Sequence, residues 1–186
     1  MSNTSDENST SRAIKVSLPL NPLIHDALKR EAKLKQRELT EHIQRVLAEH
    51  VIEAKAIEQA EADRLRLFWS IVERTVEAAQ GICRDGGFSS AITLNSIKTC
   101  MKDPKWVSDY QKYVQDDIFK HGNPHKGPIN REIGWRIRAG IGGKIMTDAK
   151  GKVATQKVLG EIIQSYTPME SFDPDEVQAK SGFPLG

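Results

Sequence analysis

The sequence predicts a mainly α-helical protein in two parts, a small N-terminal unit of one strand and two helices followed by a larger helical domain. Three observations predict it. Residues 13–19, AIKVSLP, alternate apolar Ile14, Val16 and Leu18 with small or polar neighbours, which is the two-residue period of a half-buried strand, and Pro19 ends the run. Two amphipathic segments follow at once, over residues 22–35 and 40–51. Beyond residue 65 apolar residues recur at three- and four-residue steps between Gly, Pro and Asn punctuation, the pattern of packed helices.

Asn21-Pro22 is a helix start, since the Asn side chain accepts from free backbone N–H groups and Pro suits the first turn. Leu23, Ile24, Ala27, Leu28, Ala32 and Leu34 then fall on one side, with Lys29, Arg30, Lys33 and Lys35 toward water. Residues 36–39 make a turn. Thr40 is the expected cap of the second helix, Glu41 sits where the helix dipole favours an anion, and Ile43, Val46, Leu47 and Val51 form the expected buried stripe. A lone strand cannot complete its hydrogen bonds, and so short a unit exposes too much apolar surface to stand alone. Dimerisation solves both problems.

Together the strand IKVSLP, the helix to Lys35 and the turn into Thr40-Glu41-His42-Ile43 resemble the ribbon-helix-helix DNA-binding family of the Arc and MetJ type, over residues 12–51. The resemblance implies an intertwined homodimer whose paired strands form a β-ribbon that enters the major groove of double-stranded DNA. It implies base reading by Ala13, Lys15 and Ser17: Lys15 donates to guanine O6 or N7, Ser17 bonds more than one base, and Ala13 offers an apolar contact. It also implies phosphate contacts from the backbone amides of Leu39, Thr40 and Glu41, and from Arg12 in the arm before the strand. This chain departs from the family where many members have Gly in the turn and Ser near the second cap; here stand Gln36 and Glu38.

At 38% hydrophobic and 28% charged residues with a net charge of +2, the composition is that of an ordinary globular protein, so charge alone does not point to nucleic acid. No apolar run spans a bilayer and the N-terminus lacks a signal-peptide pattern, so the expected location is the cytoplasm with no membrane partner. Cys83 and Cys100 are too few for a zinc site and read as reduced, structural thiols; no metal or cofactor is expected.

The expected boundaries are a disordered arm over 1–11, the ribbon-helix-helix unit over 12–52, a connecting helix over 53–64, a helical C-terminal domain over 65–167 and an irregular tail over 168–186. Within the C-terminal domain the expected helices are 65–81, 94–101, 104–118 and 129–139, then a hairpin over 144–155 around Asp148-Ala149-Lys150-Gly151, then a last helix over 158–166. That order suits a winged-helix-like arrangement. Residues 126–157 carry eight basic residues against two acids, and Lys126, Arg131, Arg136, Arg138 and Lys144 are a candidate second nucleic-acid surface, with a protein-partner surface or a solvated face as the alternatives.

An enzyme is not expected. His121 and His125 bracket a Gly-Asn-Pro loop, yet no third ligand, nucleophile motif, Walker phosphate loop or dinucleotide fingerprint accompanies them. The reading is a homodimeric transcriptional regulator, with higher oligomers on DNA and a protein partner for the C-terminal domain left open. Two alternatives stand beside it, an antitoxin with an operator-binding N-terminus and a partition or conjugative-transfer accessory protein of a mobile genetic element.

Overall fold

A computed structural model describes residues 15–35 and 37–170. The arm at 1–11, Arg12, Ala13, Ile14, Gln36 and the tail from residue 171 lie outside the described residues. The described chain is mainly helical, with α1 (Pro22–Leu34), α2 (Leu39–Glu53), α3 (Gln59–Arg84), α4 (Ile92–Cys100), α5 (Pro104–Val114) and α6 (Lys126–Gly140) followed by short strands.

Asn21 Oδ1 accepts the Leu23 N–H at 2.9 Å, so the Asn-Pro signal sets the start of α1. Asp103-Pro104 does the same for α5, where Asp103 Oδ1 accepts the Lys105 N–H at 2.8 Å. The start of α2 differs from expectation. Glu38, not Thr40, is the capping residue, it makes no side-chain capping bond, and Thr40 lies inside the first turn.

The expected connecting helix over 53–64 is also corrected. The helix stops at Glu53, Lys55 adopts a left-handed φ of 53°, and a new helix runs from Gln59 through the whole of the expected next segment to Arg84. The reversal is what lets Arg45 on α2 reach Trp69 and Glu73 on α3, on the far side of the turn. Tertiary pairing overrides the helix propensity of the alanine-rich stretch.

Helix α3 is the centre of the C-terminal bundle, and α4, α5 and α6 all pack on it. Its face of Ile71, Val72, Thr75 and Ala79 meets Trp106 and Tyr110 of α5 and Ile92 and Ile97 of α4. Trp106 is fully buried, and its Nε1 donates to Thr75 Oγ1 at 3.1 Å and to Ile71 O at 3.3 Å, so the one polar atom of that indole is satisfied inside the core. Helix α6 contributes Ile129, Ile133 and Ile137, a stripe at four-residue spacing with no exposed surface, each burial worth about 1.5–3 kcal/mol.

Gly140 closes α6 against α3. A Cβ placed there would lie 2.8 Å from Val76 Cγ1 and 3.3 Å from Gln80 Nε2, and Gln80 Nε2 donates to Gly140 O at 3.1 Å. Only a residue without a side chain fits.

After α6 the chain forms antiparallel pairs. β1 (Lys144–Ile145) pairs with β4 (Met169–Glu170), and β2 (Gln156–Lys157) pairs with β3 (Ser165–Tyr166). The expected 144–155 hairpin survives only at its tip, where Thr147 bridges Val153 and Asp148 Oδ1 accepts the N–H groups of Lys150 and Lys152. Its flanks pair elsewhere, so no wing is built from that segment alone. The expected helix over 158–166 is absent: Gly160 has φ 71°, the chain turns back, and Ile162 and Ile163 enter the core side by side. Met169, expected in the tail, is buried within β4.

Two outcomes test this packing. Gly140→Ala destabilises the chain by about 1–3 kcal/mol through overpacking, whereas Gly134→Ala, whose Cβ would meet nothing within 4 Å, is neutral or stabilising by up to about 1 kcal/mol; urea denaturation reads both. The second concerns acid. The Lys105 amide, with Arg74 beside it, holds the Asp103 carboxyl below its ordinary value of 3.8, and Lys120 with the Asp117 amide does the same for Asp116. A depressed folded-state pKa contributes stability that is complete above the unfolded value and is lost as pH falls through the folded one. The thermal midpoint therefore drops as pH falls below about 4, and Asp103→Asn, which keeps a capping oxygen, lessens the slope; an unchanged slope contradicts the assignment.

Candidate functional site

Residues 15–21 carry no regular secondary structure in the single chain, and all are exposed, Lys15 and Ser17 among them. Val16 is 69% exposed and Leu18 66%, so these two apolar members of the alternation are left uncovered by the described residues. The two helices that follow show the same division. Helix α1 buries Ala32 and half-buries Ala27 and Leu28 against α2, but Leu23, Ile24 and Leu34 face solvent, with Leu23 80% and Leu34 84% exposed. On α2 the expected stripe of Ile43, Val46, Leu47 and Val51 is corrected: His42 and Ile52 are the buried residues, while Val46 and Leu47 are exposed.

His42 accounts for part of that shift. Its ring is fully buried, with Nε2 3.1 Å from Glu31 Oε2, which ties α2 to α1 through a polar contact the apolar pattern does not show.

At the start of α2, Leu39 is half-buried, Thr40 is exposed and Glu41 is half-buried. Their amides have no acceptor four residues back within the helix, and Glu38 offers none from its side chain. The Glu41 carboxylate itself is engaged internally. It pairs with Arg136 of α6 and lies 3.9 Å from Arg37 Nε, and Arg37 also donates to Glu73 of α3. Arg45 Nη1 is 3.5 Å from the same Glu73, and its guanidinium lies 3.6 Å over the Trp69 ring. Five charged groups and one indole thus join α2 to α3 and α6. Arg37, in the turn before α2, and Trp69 and Glu73 of α3 were not expected in this role; partners drawn from distant segments leave no spacing signal in a sequence.

The basic run over 126–157 does not form one surface. Lys126 is 7% exposed, and its Nζ donates to Ile118 O at 2.6 Å and Lys120 O at 3.0 Å; burial pushes its pKa down. Arg136 is turned toward Glu41, and burial, with the Arg37 charge as a lesser cause, lowers its pKa to about 10. Both leave the candidate nucleic-acid set because their donors are committed inside the protein. Arg131 and Lys144 are exposed and Arg138 is half-buried, its guanidinium 5.6 Å from the ring of Trp135. Trp135 and Arg138 are neighbours on the outer side of α6.

His121 Nδ1 lies 2.8 Å from Gln164 Nε2 and His125 Nδ1 lies 2.7 Å from Arg64 Nη2, so each loop histidine holds a distant segment. Among the described residues no group of three His, Cys, Asp or Glu is placed to hold a metal ion, and no helix is long and apolar enough to cross a membrane. Burial raises the pKa of both Cys83 and Cys100. No protein-family model, curated protein or solved structure matches this chain.

Removing Arg136 tests the junction. Arg136→Ala leaves Glu41 with only its longer contact to Arg37, so opening of the first turn of α2 becomes easier by about 1–3 kcal/mol. Hydrogen exchange of residues 39–43 accelerates accordingly while that of α4 stays unchanged; equal exchange in the two proteins contradicts a role for the pair.

Proposed function

We propose that this chain is a homodimeric, sequence-specific DNA-binding protein that regulates transcription, with residues 12–52 of two copies intertwined as a ribbon-helix-helix unit. One observation supports the reading above the others. The large apolar residues of the 16–47 region that the single chain leaves exposed, Val16, Leu18, Leu20, Leu23, Ile24, Leu34, Val46 and Leu47, are those a paired ribbon and an interlocked second pair of helices would cover. Lys15 and Ser17 alternate with Val16 and Leu18, so burying one face of the ribbon against the helices turns the other toward the major groove.

In this reading Ala13, Lys15 and Ser17 meet base edges. Arg12 and the uncapped amides of Leu39, Thr40 and Glu41 meet phosphates, and the Glu41 side chain stays paired with Arg136 and clear of the DNA. The C-terminal bundle, anchored by the α2–α3–α6 charge cluster, travels with the DNA-binding unit and is available to a protein partner or to a neighbouring dimer. A partition or transfer role would use the same chemistry at a different site in the genome.

The test combines mass and binding. The full chain sediments as a dimer and selects a defined site from a random duplex pool; Val16→Asp with Leu18→Asp sediments as a monomer and selects none. A wild-type chain that is monomeric and indifferent to DNA ends the proposal. Lys15→Ala weakens the selected site by about tenfold, as expected for one base contact, and random duplex by less, measured by fluorescence anisotropy at fixed salt.

A further inference from the structure

Helix α6 and the returning segment between β2 and β3 enclose a groove of about 760 Å³, within the range of small-molecule sites. Its lining carries the cations Lys126, Arg131 and Arg138 and no Asp or Glu. Arg131 and Arg138 are seven residues apart on α6, two turns or about 10 Å along one side of the helix, and Trp135, 68% exposed, lies between them. Gly127 and Gly134 repeat at the same interval, and a Cβ at either would meet nothing within 4 Å, so α6 presents open backbone beside those side chains.

The groove has an apolar floor of Ile162, Ile163 and Met169, all buried. Within the lining, Thr93 is 5% exposed and its Oγ1 has no hydrogen-bond partner. An unsatisfied buried hydroxyl is unfavourable and is a donor or acceptor awaiting a polar group. Asn130, also in the lining, uses its Oδ1 to accept from Tyr110 Oη at 2.8 Å, which fixes the carboxamide on α6.

We propose that this groove binds a small organic anion carrying a planar ring. The charge balance selects an anion, since the guanidiniums of Arg131 and Arg138 line the space and no Asp or Glu does. Lys126 is held by two carbonyl oxygens, which leaves the guanidiniums of Arg131 and Arg138 as the direct ligands of a phosphate or carboxylate. The planar ring follows from Trp135 and Tyr166, an exposed indole and a half-buried phenol that offer a face for stacking above an apolar floor. Thr93 Oγ1 supplies a hydrogen bond to a polar atom of the ring. The volume suits a ligand of the size of a nucleotide and not a bare ion. The site is separate from the proposed DNA-reading surface, and its occupancy is measurable without DNA.

Titration calorimetry of the full chain with adenosine monophosphate, phenylphosphate, adenosine and inorganic phosphate tests the assignment, with Trp fluorescence as a second readout. At least one of the two ring-bearing anions binds saturably, one per chain, with a dissociation constant below about 1 mM. Adenosine and inorganic phosphate each bind at least about tenfold more weakly. Arg131→Ala with Arg138→Ala, changes outside the core, abolishes the tight binding without altering the unfolding midpoint, and Thr93→Val weakens it several-fold while Thr93→Ser retains it. Trp135→Phe keeps affinity and Trp135→Ala loses it. The proposal is overturned by the absence of saturable binding to both ring-bearing anions, by equal affinity for inorganic phosphate, or by unchanged affinity in the double arginine variant. Binding confined to single-stranded oligonucleotide also overturns it and would return Arg131 and Arg138 to a nucleic-acid surface.

Discussion

The packing of α6 on α3 is the constraint on which the rest of the chain depends. Ile129, Ile133 and Ile137 are each fully buried and four residues apart, so their common direction fixes the rotation of α6 about its own axis. Once that rotation is fixed, every other residue of the helix has its neighbourhood assigned. Arg136 is carried to Glu41 of α2, while Arg131, Gly134, Trp135 and Arg138 are carried to the groove. Gly140 sets how closely the helix end approaches Val76 of α3. A basic helix by composition is thus three surfaces by geometry, one apolar, one paired and one open.

The join between α2 and the bundle is made in a different currency. Arg37, Glu41, Arg45, Glu73 and Arg136 form an alternating cluster with Trp69 beneath Arg45, and only the arginines are well covered. Partly exposed ion pairs contribute little net stability each, but they fix geometry because a misaligned pair leaves a charge half-buried and unmatched. The apolar residues Val16, Leu18, Leu23, Leu34 and Leu47 of the same unit stay exposed. The division has a physical logic: a charged contact holds the bundle in orientation, and the apolar surface remains free for a second copy of the chain in the proposed dimer.

What the sequence disclosed follows the range of each signal. Asn21-Pro22 and Asp103-Pro104 are local instructions, complete within three residues, and both helices start where they say. The mainly helical character comes from a period that any window of the chain contains, but of the α3 stripe that the period marks, Leu65, Phe68, Trp69, Val72, Val76 and Ala79, only Val72 and Ala79 are buried, and Ile71 and Thr75 complete the face. The break over residues 54–58 was not legible, because no Gly or Pro marks it and its cause is the reach of Arg45 to Trp69 and Glu73. Pairing of Lys144 with Glu170 was hidden by sequence separation, and a run of Val, Leu and Ile after residue 157 imitated a helix until Gly160 turned it back. The basic segment misled for a related reason. Composition counts charges, but Lys126 and Arg136 spend theirs on Ile118, Lys120 and Glu41. Of the groove only the cations Lys126, Arg131 and Arg138 stood out in the sequence, since the rest of its lining is drawn from α4, the loop before α6, α6 itself and the strands beyond.

The account rests most heavily on the pairing of two N-terminal strands, and hydrogen exchange of the unmodified chain measures it directly. Backbone amides of residues 15–18 have no backbone hydrogen-bond partner among the described residues, so their exchange reports what a second copy supplies. The account predicts slow exchange of these amides at high protein concentration, accelerating on dilution toward the monomer while the amides of α3 stay protected throughout. Fast exchange of residues 15–18 at every concentration, in a chain whose α3 amides remain protected, would contradict it.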